Sequence, residues 1–173
     1  MNRNPLYPFT EADAEAAYNE WGANCGPNAL AFALNLSLDA VRYAIPDFDA
    51  KRYASPTMMK GGLLNLHARY SVLPIFQPPA RKEFPASAFS EDPALVRIQW
   101  CGPWTAVNAN PKWAYRQTHW ICTFKYAALD YIFDCNGGVA SFEAWKRDVV
   151  PLILKCYPRA DGDWFPTHIW RIG

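Results

Sequence analysis

Several features that mark other protein classes are missing from this chain. No apolar run approaches the roughly 20 residues that a helix needs to cross a bilayer, and the N-terminal residues MNRNPLYP lack the apolar core of a signal peptide. The formal net charge is only +1, and no block of lysine or arginine stands out. These absences predict no membrane partner and no nucleic-acid partner. We therefore expect a cytoplasmic location.

Cysteine is present, but its arrangement does not suit disulfides or metal binding. The five cysteines are an odd number, no Cys-x-x-Cys pair occurs, and the three histidines lie far apart in the sequence. This pattern predicts free thiols, no metal site and no cofactor. Cys122 and Cys156 are interpreted as free buried thiols.

The chain does have the length and apolar content for a substantial core. It has 173 residues, of which 51% are hydrophobic and 16% aromatic. These values predict one globular domain over residues 1–173. No internal repeat or low-complexity tract divides it.

Helix signals come first along the chain and strand signals later. Capping residues and apolar spacing predict helices over 11–21, 25–34, 38–45, 56–70 and 142–155. Runs of apolar and β-branched residues predict strands over 72–76, 95–100, 119–126, 131–134 and 167–172, with a loop over 77–92 and a turn over 127–130. This segregation predicts the α+β class, with helices packed on one antiparallel sheet.

Cys25, His119 and Asp134 follow one another along the chain and have the chemistry of a nucleophile, a base and an orienting acid. Cys25 starts an apolar helix, where unpaired amides and the helix dipole stabilise a thiolate and lower the thiol pKa. His119 begins a strand and Asp134 ends the next one, so a tight hairpin is expected to bring them side by side. The histidine is then the base, and the aspartate fixes its tautomer. Asn136 is the alternative third member.

Each of these residue types also has an ordinary structural interpretation. A cysteine in an apolar helix is commonly a small core side chain, and His119, flanked by apolar residues, fits a core histidine. Cys101 stands in the sequence WCGP, which echoes the region around Cys25, but no helix follows it and it is the weaker candidate nucleophile. His67 and His168 are interpreted as structural or surface residues.

Three short segments resemble the papain-like cysteine peptidases of the bacteriocin-processing (C39-like) type, namely CGPNALA at 25–31, HWI at 119–121 and YIFDCN at 131–136. The resemblance implies a papain-like fold, in which a helical part with a central nucleophile helix packs on an antiparallel sheet. It implies Cys25, His119 and Asp134 as the catalytic triad. Such enzymes usually have a glutamine whose amide completes the oxyanion hole, and this chain has Asn19 there, with the same amide on a shorter side chain.

An aromatic segment, residues 102–117, leads into the histidine strand. It contains Trp104, Trp113 and Tyr115. Such side chains either line a substrate cleft or cover the edge of the core, and both interpretations stay open here. Arg116 in the same segment is interpreted as a solvated side chain.

Two functions are compatible with the sequence. One is a cysteine peptidase, or another thiol hydrolase, that cleaves a peptide or amide bond in a peptide or protein substrate. An amidase or acyltransferase would use the same three residues. The other is a catalytically inactive papain-like module that acts as a structural or interaction subunit, for example of a phage particle, through an aromatic surface drawn from the eight tryptophans. If the chain is phage-encoded, the virion is the expected location.

Overall fold

Helices occupy the first part of the chain, and a sheet dominates the remainder. The computed structural model describes residues 9–22, 24–73 and 81–173. The helices are Glu11–Trp21 (α1), Cys25–Leu34 (α2), Leu38–Ala44 (α3), Phe48–Lys51 (α4), Pro56–Asn65 (α5), Pro111–Tyr115 (α6), Phe142–Ala144 (α7) and Val150–Leu154 (α8). The strands are Tyr70–Val72 (β1), Ala94–Trp100 (β2), Thr118–Tyr126 (β3), Leu129–Asp134 (β4), Gly138–Ser141 (β5) and Trp164–Ile172 (β6). No helix within the described ranges is long and apolar enough to cross a bilayer.

Side-chain caps set the starts of the helices where the sequence predicts them. The Thr10 hydroxyl accepts the N–H of Asp13 at 3.1 Å, and the Asp13 carboxylate accepts the N–H of Thr10 at 2.7 Å. This reciprocal pair is a capping box, and it starts α1. The hydroxyls of Ser37, Ser55 and Ser141 each accept an N–H from the third residue of the helix that follows. The predicted starts of these helices are confirmed.

The helix predicted to reach residue 70 ends earlier. α5 stops at Asn65, and β1 starts at Tyr70. His67 has a φ of 53°, and the Ala68 N–H bonds to the Leu63 carbonyl at 2.9 Å. This is the geometry in which a left-handed residue terminates a helix, here without a glycine.

Three short elements were not predicted: α4, α6 and β5. α6 lies inside the aromatic segment 102–117, and its start is capped by Asn110, whose side-chain oxygen accepts the Lys112 N–H at 3.0 Å. Elements of four or five residues have too few positions to show a hydrophobic period, which explains why the sequence pattern did not identify them.

The strand predicted over 72–76 is described only in part. β1 covers Tyr70–Val72. Residues 74–76 lie outside the described residues, as do residues 77–80 of the predicted loop. The described remainder of that loop contains one 3-10 turn, Ala86–Ala88.

The late helix predicted over 142–155 is present over 142–154, but its middle is not α-helical. Residues Trp145–Val149 form a π-helical turn between α7 and α8. Pro151 lies two residues after the end of this turn. Proline has no N–H and crowds the carbonyl four residues before it. A local shift of the hydrogen-bond ladder accommodates such a residue within a helix.

The strands form one antiparallel sheet, which within the described residues has six strands in the order β1-β6-β2-β3-β4-β5. β3 and β4 are joined by Ala127 and Ala128, with φ of 50° and 66°. This two-residue turn is shorter than predicted, and its left-handed residues match the strand twist. Cys122 pairs with Phe133, which sets the start of β3 beside the end of β4. The predicted α+β class is confirmed.

Both faces of the sheet are covered. On one face α2 packs with α3 and α5, in a cluster that includes Leu30, Leu63 and Trp120. On the other face the 142–154 helix packs over a cluster that includes Trp145 and Ile98. β2 lies at the centre and is buried along its whole length.

Gly26 allows the start of α2 to approach the segment before α5. A Cβ at Gly26 would lie 2.4 Å from the Cβ of Ala54 and 3.2 Å from the sulfur of Met59. The carbonyl of Ala54 also accepts the indole N–H of Trp120 at 2.8 Å. Ala54 is thereby tied to β3 and cannot give way freely, so only glycine fits after Cys25.

We expect Gly26→Ala to destabilise the fold by roughly 1–3 kcal/mol, the usual cost of overpacking a tight contact. Ala54→Gly in the same chain removes the opposing Cβ and should restore much of that loss. The measurement is the free energy of unfolding in urea for the two single variants, the double variant and the native chain. Strictly additive effects would contradict the close approach.

Candidate active site

Cys25 is the first residue of α2 and lies at an open helix N-terminus. The preceding residue, Asn24, makes no side-chain cap to the helix. Its amide instead donates to the carbonyl of Ala14 at 3.1 Å. The first-turn amides of α2 therefore stay available to a bound group, and the helix dipole favours a negative charge at the Cys25 sulfur.

His119 lies in β3, next to Cys25, and is almost fully buried. Its Nε2 is 2.9 Å from Oδ1 of Asp134. This leaves Nδ1 for the Cys25 thiol, which hydrogen-bonds the His119 side chain and also receives a hydrogen bond from the Trp120 backbone. The Trp100 ring is stacked 6.4 Å from the imidazole, between ring centres, and holds the ring plane.

Asp134, at the end of β4, is completely buried, and donors surround its carboxylate. Oδ1 accepts the backbone N–H of Asn136 at 2.9 Å and the Asn136 side-chain amide at 3.0 Å. Oδ2 accepts the indole N–H of Trp145 at 2.9 Å. With His119, four donors satisfy this buried charge, as a buried carboxylate requires.

Asn136, the alternative orienting residue, also lies beside the imidazole. Its side-chain nitrogen is 3.5 Å from His119 Nε2, whereas Asp134 is 2.9 Å from the same atom. The shorter contact, and the negative charge of its acceptor, make Asp134 the partner of the histidine. Asn136 donates to Asp134 and so helps to position it.

Charges and hydrogen bonds outweigh burial in all three groups. Burial raises the pKa of the Cys25 thiol, but the charge and hydrogen bond of His119 lower it below its ordinary value. Burial lowers the pKa of His119, yet Asp134 and the Cys25 thiolate raise it to about 10. Burial raises the pKa of Asp134, and His119 with the other donors holds it below its usual range. The directions of these shifts favour a thiolate, an imidazolium and a carboxylate over the neutral forms of the three groups.

These shifts fix the pH range in which the Asp134–His119 pair stabilises the fold. The lowered pKa of Asp134 gives stability that is present above its ordinary value of 3.8 and is lost as pH falls. The raised pKa of His119 gives stability that is complete below its ordinary value of 6.5 and is lost as pH rises through about 10. The pair therefore contributes fully between about pH 4 and pH 6.5.

A cavity of about 990 Å³ opens onto Cys25 and His119. Of the three aromatic cleft candidates, Tyr115 lines this cavity, and Trp104 and Trp113 lie outside its lining. Trp104 is buried in the core, where its indole N–H donates to a backbone carbonyl at 2.7 Å. Trp113 is 64% exposed on α6.

Asn19, the oxyanion candidate, is exposed on α1 and lies outside the lining of the cavity. Tyr18, one residue earlier, lines the cavity instead. α1 continues as a regular helix to Trp21, and each residue of an α-helix is rotated about 100° from the last. That rotation separates the faces on which Tyr18 and Asn19 lie.

The remaining candidates divide between core, surface and cavity. Cys101 is fully buried, and Cys122 is buried as predicted. Cys156 is exposed and lines the cavity, so its prediction as a buried thiol is wrong. It lies two residues after the end of α8.

The other two histidines and Arg116 lie apart from the contacts among Cys25, His119 and Asp134. His67 is exposed in the left-handed turn after α5. His168 lies on β6, and its Nδ1 is 3.1 Å from the Thr167 hydroxyl. Arg116 is exposed as predicted, and it also lines the cavity.

One group of side chains has the composition of a metal site. Ligand atoms of His119, Asp134 and Cys135 all lie within 4.8 Å of one another. The first two are already hydrogen-bonded to each other. Burial, together with the charge of Asp134, raises the pKa of Cys135 well above its ordinary value. The Asp134 carboxylate also accepts hydrogen bonds from Asn136 and Trp145, so the group fits a hydrogen-bonded cluster.

Sequence reasoning missed two side chains that the fold adds to the site. Trp145 reaches Asp134 from the π-helical turn, and no local pattern signals that contact. Arg97 lines the cavity from β2. Its position inside the apolar strand ALVRIQW was a usable signal, because a charged residue in a strand buried on both faces needs a reason.

Comparison with protein-family models gave no match. Comparison with curated proteins gave no match either.

We expect Trp145→Phe to loosen the contact between Asp134 and His119, and so to raise the pH at which the Cys25 thiolate forms. The change removes the N–H that donates to Asp134 and should cost roughly 1–3 kcal/mol of stability. The readouts are the ultraviolet absorbance of the thiolate against pH and unfolding in urea.

The matched control is Trp21→Phe, which makes the same truncation at a buried tryptophan whose indole N–H has no partner among the described residues. It should lose stability without moving the thiolate titration. Identical titration curves for Trp145→Phe and the native chain would contradict the positioning role.

Proposed function

We propose that this protein is a papain-like thiol hydrolase that cleaves a peptide or amide bond. One observation carries the proposal, namely the continuous contact from Asp134 through His119 to Cys25 at the open end of α2. A buried thiolate–imidazolium pair beside a large cavity is the arrangement that nucleophilic catalysis by cysteine requires. A cysteine or histidine that only fills the core needs neither the charge partners nor the cavity.

The geometry supports a two-step acyl transfer. The Cys25 thiolate attacks the substrate carbonyl carbon, and a tetrahedral oxyanion forms. His119 gives its Nδ1 proton to the leaving amine as the carbon–nitrogen bond breaks, which leaves an acyl thioester on Cys25. Neutral His119 then takes a proton from water as the water attacks the thioester. The carboxylic acid is released and the thiolate–imidazolium pair is regenerated, so atoms and protons balance.

The start of α2 supplies the oxyanion donor in this proposal. The backbone N–H of Cys25 lies in the first helical turn, where amides lack an intrahelical acceptor. The Asn24 amide is committed to Ala14. Asn19 lies outside the cavity lining, so its predicted role requires a movement of α1. Tyr18, which lines the cavity, is better placed as the second donor.

Exposed aromatic side chains favour a second candidate function, the binding of a protein partner without catalysis. Tyr18, Tyr53 and Tyr115 all line the cavity, and these residues are 62%, 47% and 47% exposed, respectively. Tyrosines of this kind are frequent at interfaces. An inactive module of this kind would serve as a structural or interaction subunit. The same side chains would contact a peptide substrate in an active enzyme, so only activity separates the two functions.

A mixture of peptides incubated with the protein and followed by mass spectrometry tests the proposal. We expect new peptide ends with the native chain and a loss of at least about 1,000-fold with Cys25→Ala, since the nucleophile is removed. Cys101→Ala is the matched control, because it removes the rival thiol outside the cavity and should retain the activity. Cleavage that survives Cys25→Ala, or that is lost in Cys101→Ala alone, would refute Cys25 as the nucleophile.

A further inference from the structure

Arg97 is a charged residue in the most buried strand of the sheet. It is only 5% exposed, and no carboxylate forms an ion pair with it among the described residues. A guanidinium stays charged at every physiological pH. A buried guanidinium that no carboxylate offsets is costly, and proteins normally pair such groups.

The contacts that hold Arg97 are weak and neutral. Nη1 donates to the Thr167 hydroxyl at 3.3 Å, and Nη2 donates to the Tyr115 carbonyl at 3.4 Å. Its Nε has no partner within the described part of the chain. The guanidinium carbon lies 4.8 Å from the centre of the Tyr115 ring. Arg97 is therefore held in place while much of its hydrogen-bonding capacity is unused.

A β-bulge lies at the same point of the sheet. Arg97 pairs with His168 and the next residue, Ile98, pairs with Pro166, so Thr167 is the extra residue on β6. A bulge bends a strand and redirects nearby side chains, and bulges are frequent beside active sites. The hydroxyl of the bulged Thr167 is one of the two acceptors of Arg97.

Arg97 lines the cavity that contains Cys25, and its charge interacts with the Cys25 thiolate. Two further cations, Lys112 and Arg116, line the same cavity. No aspartate or glutamate is among its described lining residues. The adjoining cavity, of about 470 Å³, has the opposite character, because Glu11 and Glu15 are in its lining.

From these observations we propose that Arg97 binds a carboxylate of the substrate beside the scissile bond. A guanidinium presents two parallel N–H groups to a carboxylate, and this charge-assisted pairing is among the strongest hydrogen bonds in proteins. The carboxylate belongs either to an acidic side chain or to the C-terminus of a peptide. This inference rests on the proposed function, since it assigns the acyl chemistry at Cys25 to acidic substrates.

Two alkylating reagents test the site without knowledge of the substrate. Iodoacetate and iodoacetamide react with a thiolate by the same displacement of iodide, but only iodoacetate has a carboxylate. We expect the rate ratio of iodoacetate to iodoacetamide at Cys25 to exceed the ratio for glutathione. Arg97→Gln should lower the ratio by about tenfold, the change that corresponds to one lost charge-assisted hydrogen bond. Peptide mass spectrometry measures both rates.

Matched variants separate the charge of Arg97 from its shape and from the net charge. Arg97→Lys keeps the charge but not the paired donors. Its rate ratio of iodoacetate to iodoacetamide should lie between the ratios of the native chain and Arg97→Gln. Lys60→Gln removes an exposed cation from α5, outside the cavity, and should leave the ratio unchanged. If Arg97→Gln does not fold, the double variant Lys112→Gln/Arg116→Gln, with both changes at exposed positions, should still lower the ratio.

The outcomes distinguish failure of this inference from failure of the proposed function. Rapid labelling by both reagents, with a native ratio equal to that of glutathione and unaffected by the variants, overturns the carboxylate site and leaves the hydrolase standing. No enhanced reaction with either reagent refutes the activated nucleophile instead.

If neither reagent shows an enhanced reaction, the binding of peptides to Cys25→Ala, measured by calorimetry, still tests the carboxylate site. The probes are three peptides, one with an acidic side chain and an amidated C-terminus, one neutral with a free C-terminus, and one neutral and amidated. Preference for the first or second peptide identifies the source of the carboxylate. Equal binding of all three, or no binding of any, overturns the proposal.

Discussion

The hydrogen bond between the Asp134 carboxylate and His119 is the interaction on which the rest of the site depends. Asp134 is completely buried, and a buried carboxylate stays ionised only if donors replace its lost hydration. Here the donors come from β3, from the turn after β4 and from Trp145 in the π-helical turn. Separate parts of the fold therefore converge on one charge, and that charge keeps His119 protonated beside Cys25.

The same arrangement explains why the site lies where the helices meet the sheet. A helix N-terminus favours a thiolate, while strands hold a histidine and an aspartate at fixed register. Gly26 lets α2 approach closely enough for Cys25 to meet His119. Arg97, Lys112 and Arg116 line the cavity beyond, so the proposed thiolate and an acidic group of the proposed substrate would share a positive environment. Substrate recognition and nucleophile activation would then depend on the same electrostatic feature.

Local signals were sufficient for much of this structure. The caps at Thr10 and Ser37, and the order of Cys25, His119 and Asp134, are visible in sequence because each depends on nearby residues or on one hairpin. Contacts between distant segments are not visible in this way, and the contact of Trp145 with Asp134 depends on how the late helix packs over the sheet. The exposed position of Asn19 follows from where α1 ends, which motif spacing does not determine. The β-bulge that lies beside Arg97 and directs its side chain has no local sequence signature.

The most direct test of the account is the rate of iodoacetamide alkylation of Cys25 against pH, in the native chain and in His119→Ala. A thiolate–imidazolium pair predicts rapid labelling at about pH 6, well below the pKa of about 8.5 of an ordinary thiol, and its loss in the variant. The native rate should rise no further until the imidazolium loses its proton near pH 10. Labelling that appears only near pH 8.5 and has the same rate in His119→Ala would contradict the account. Cys25 would then be a structural residue of the helix.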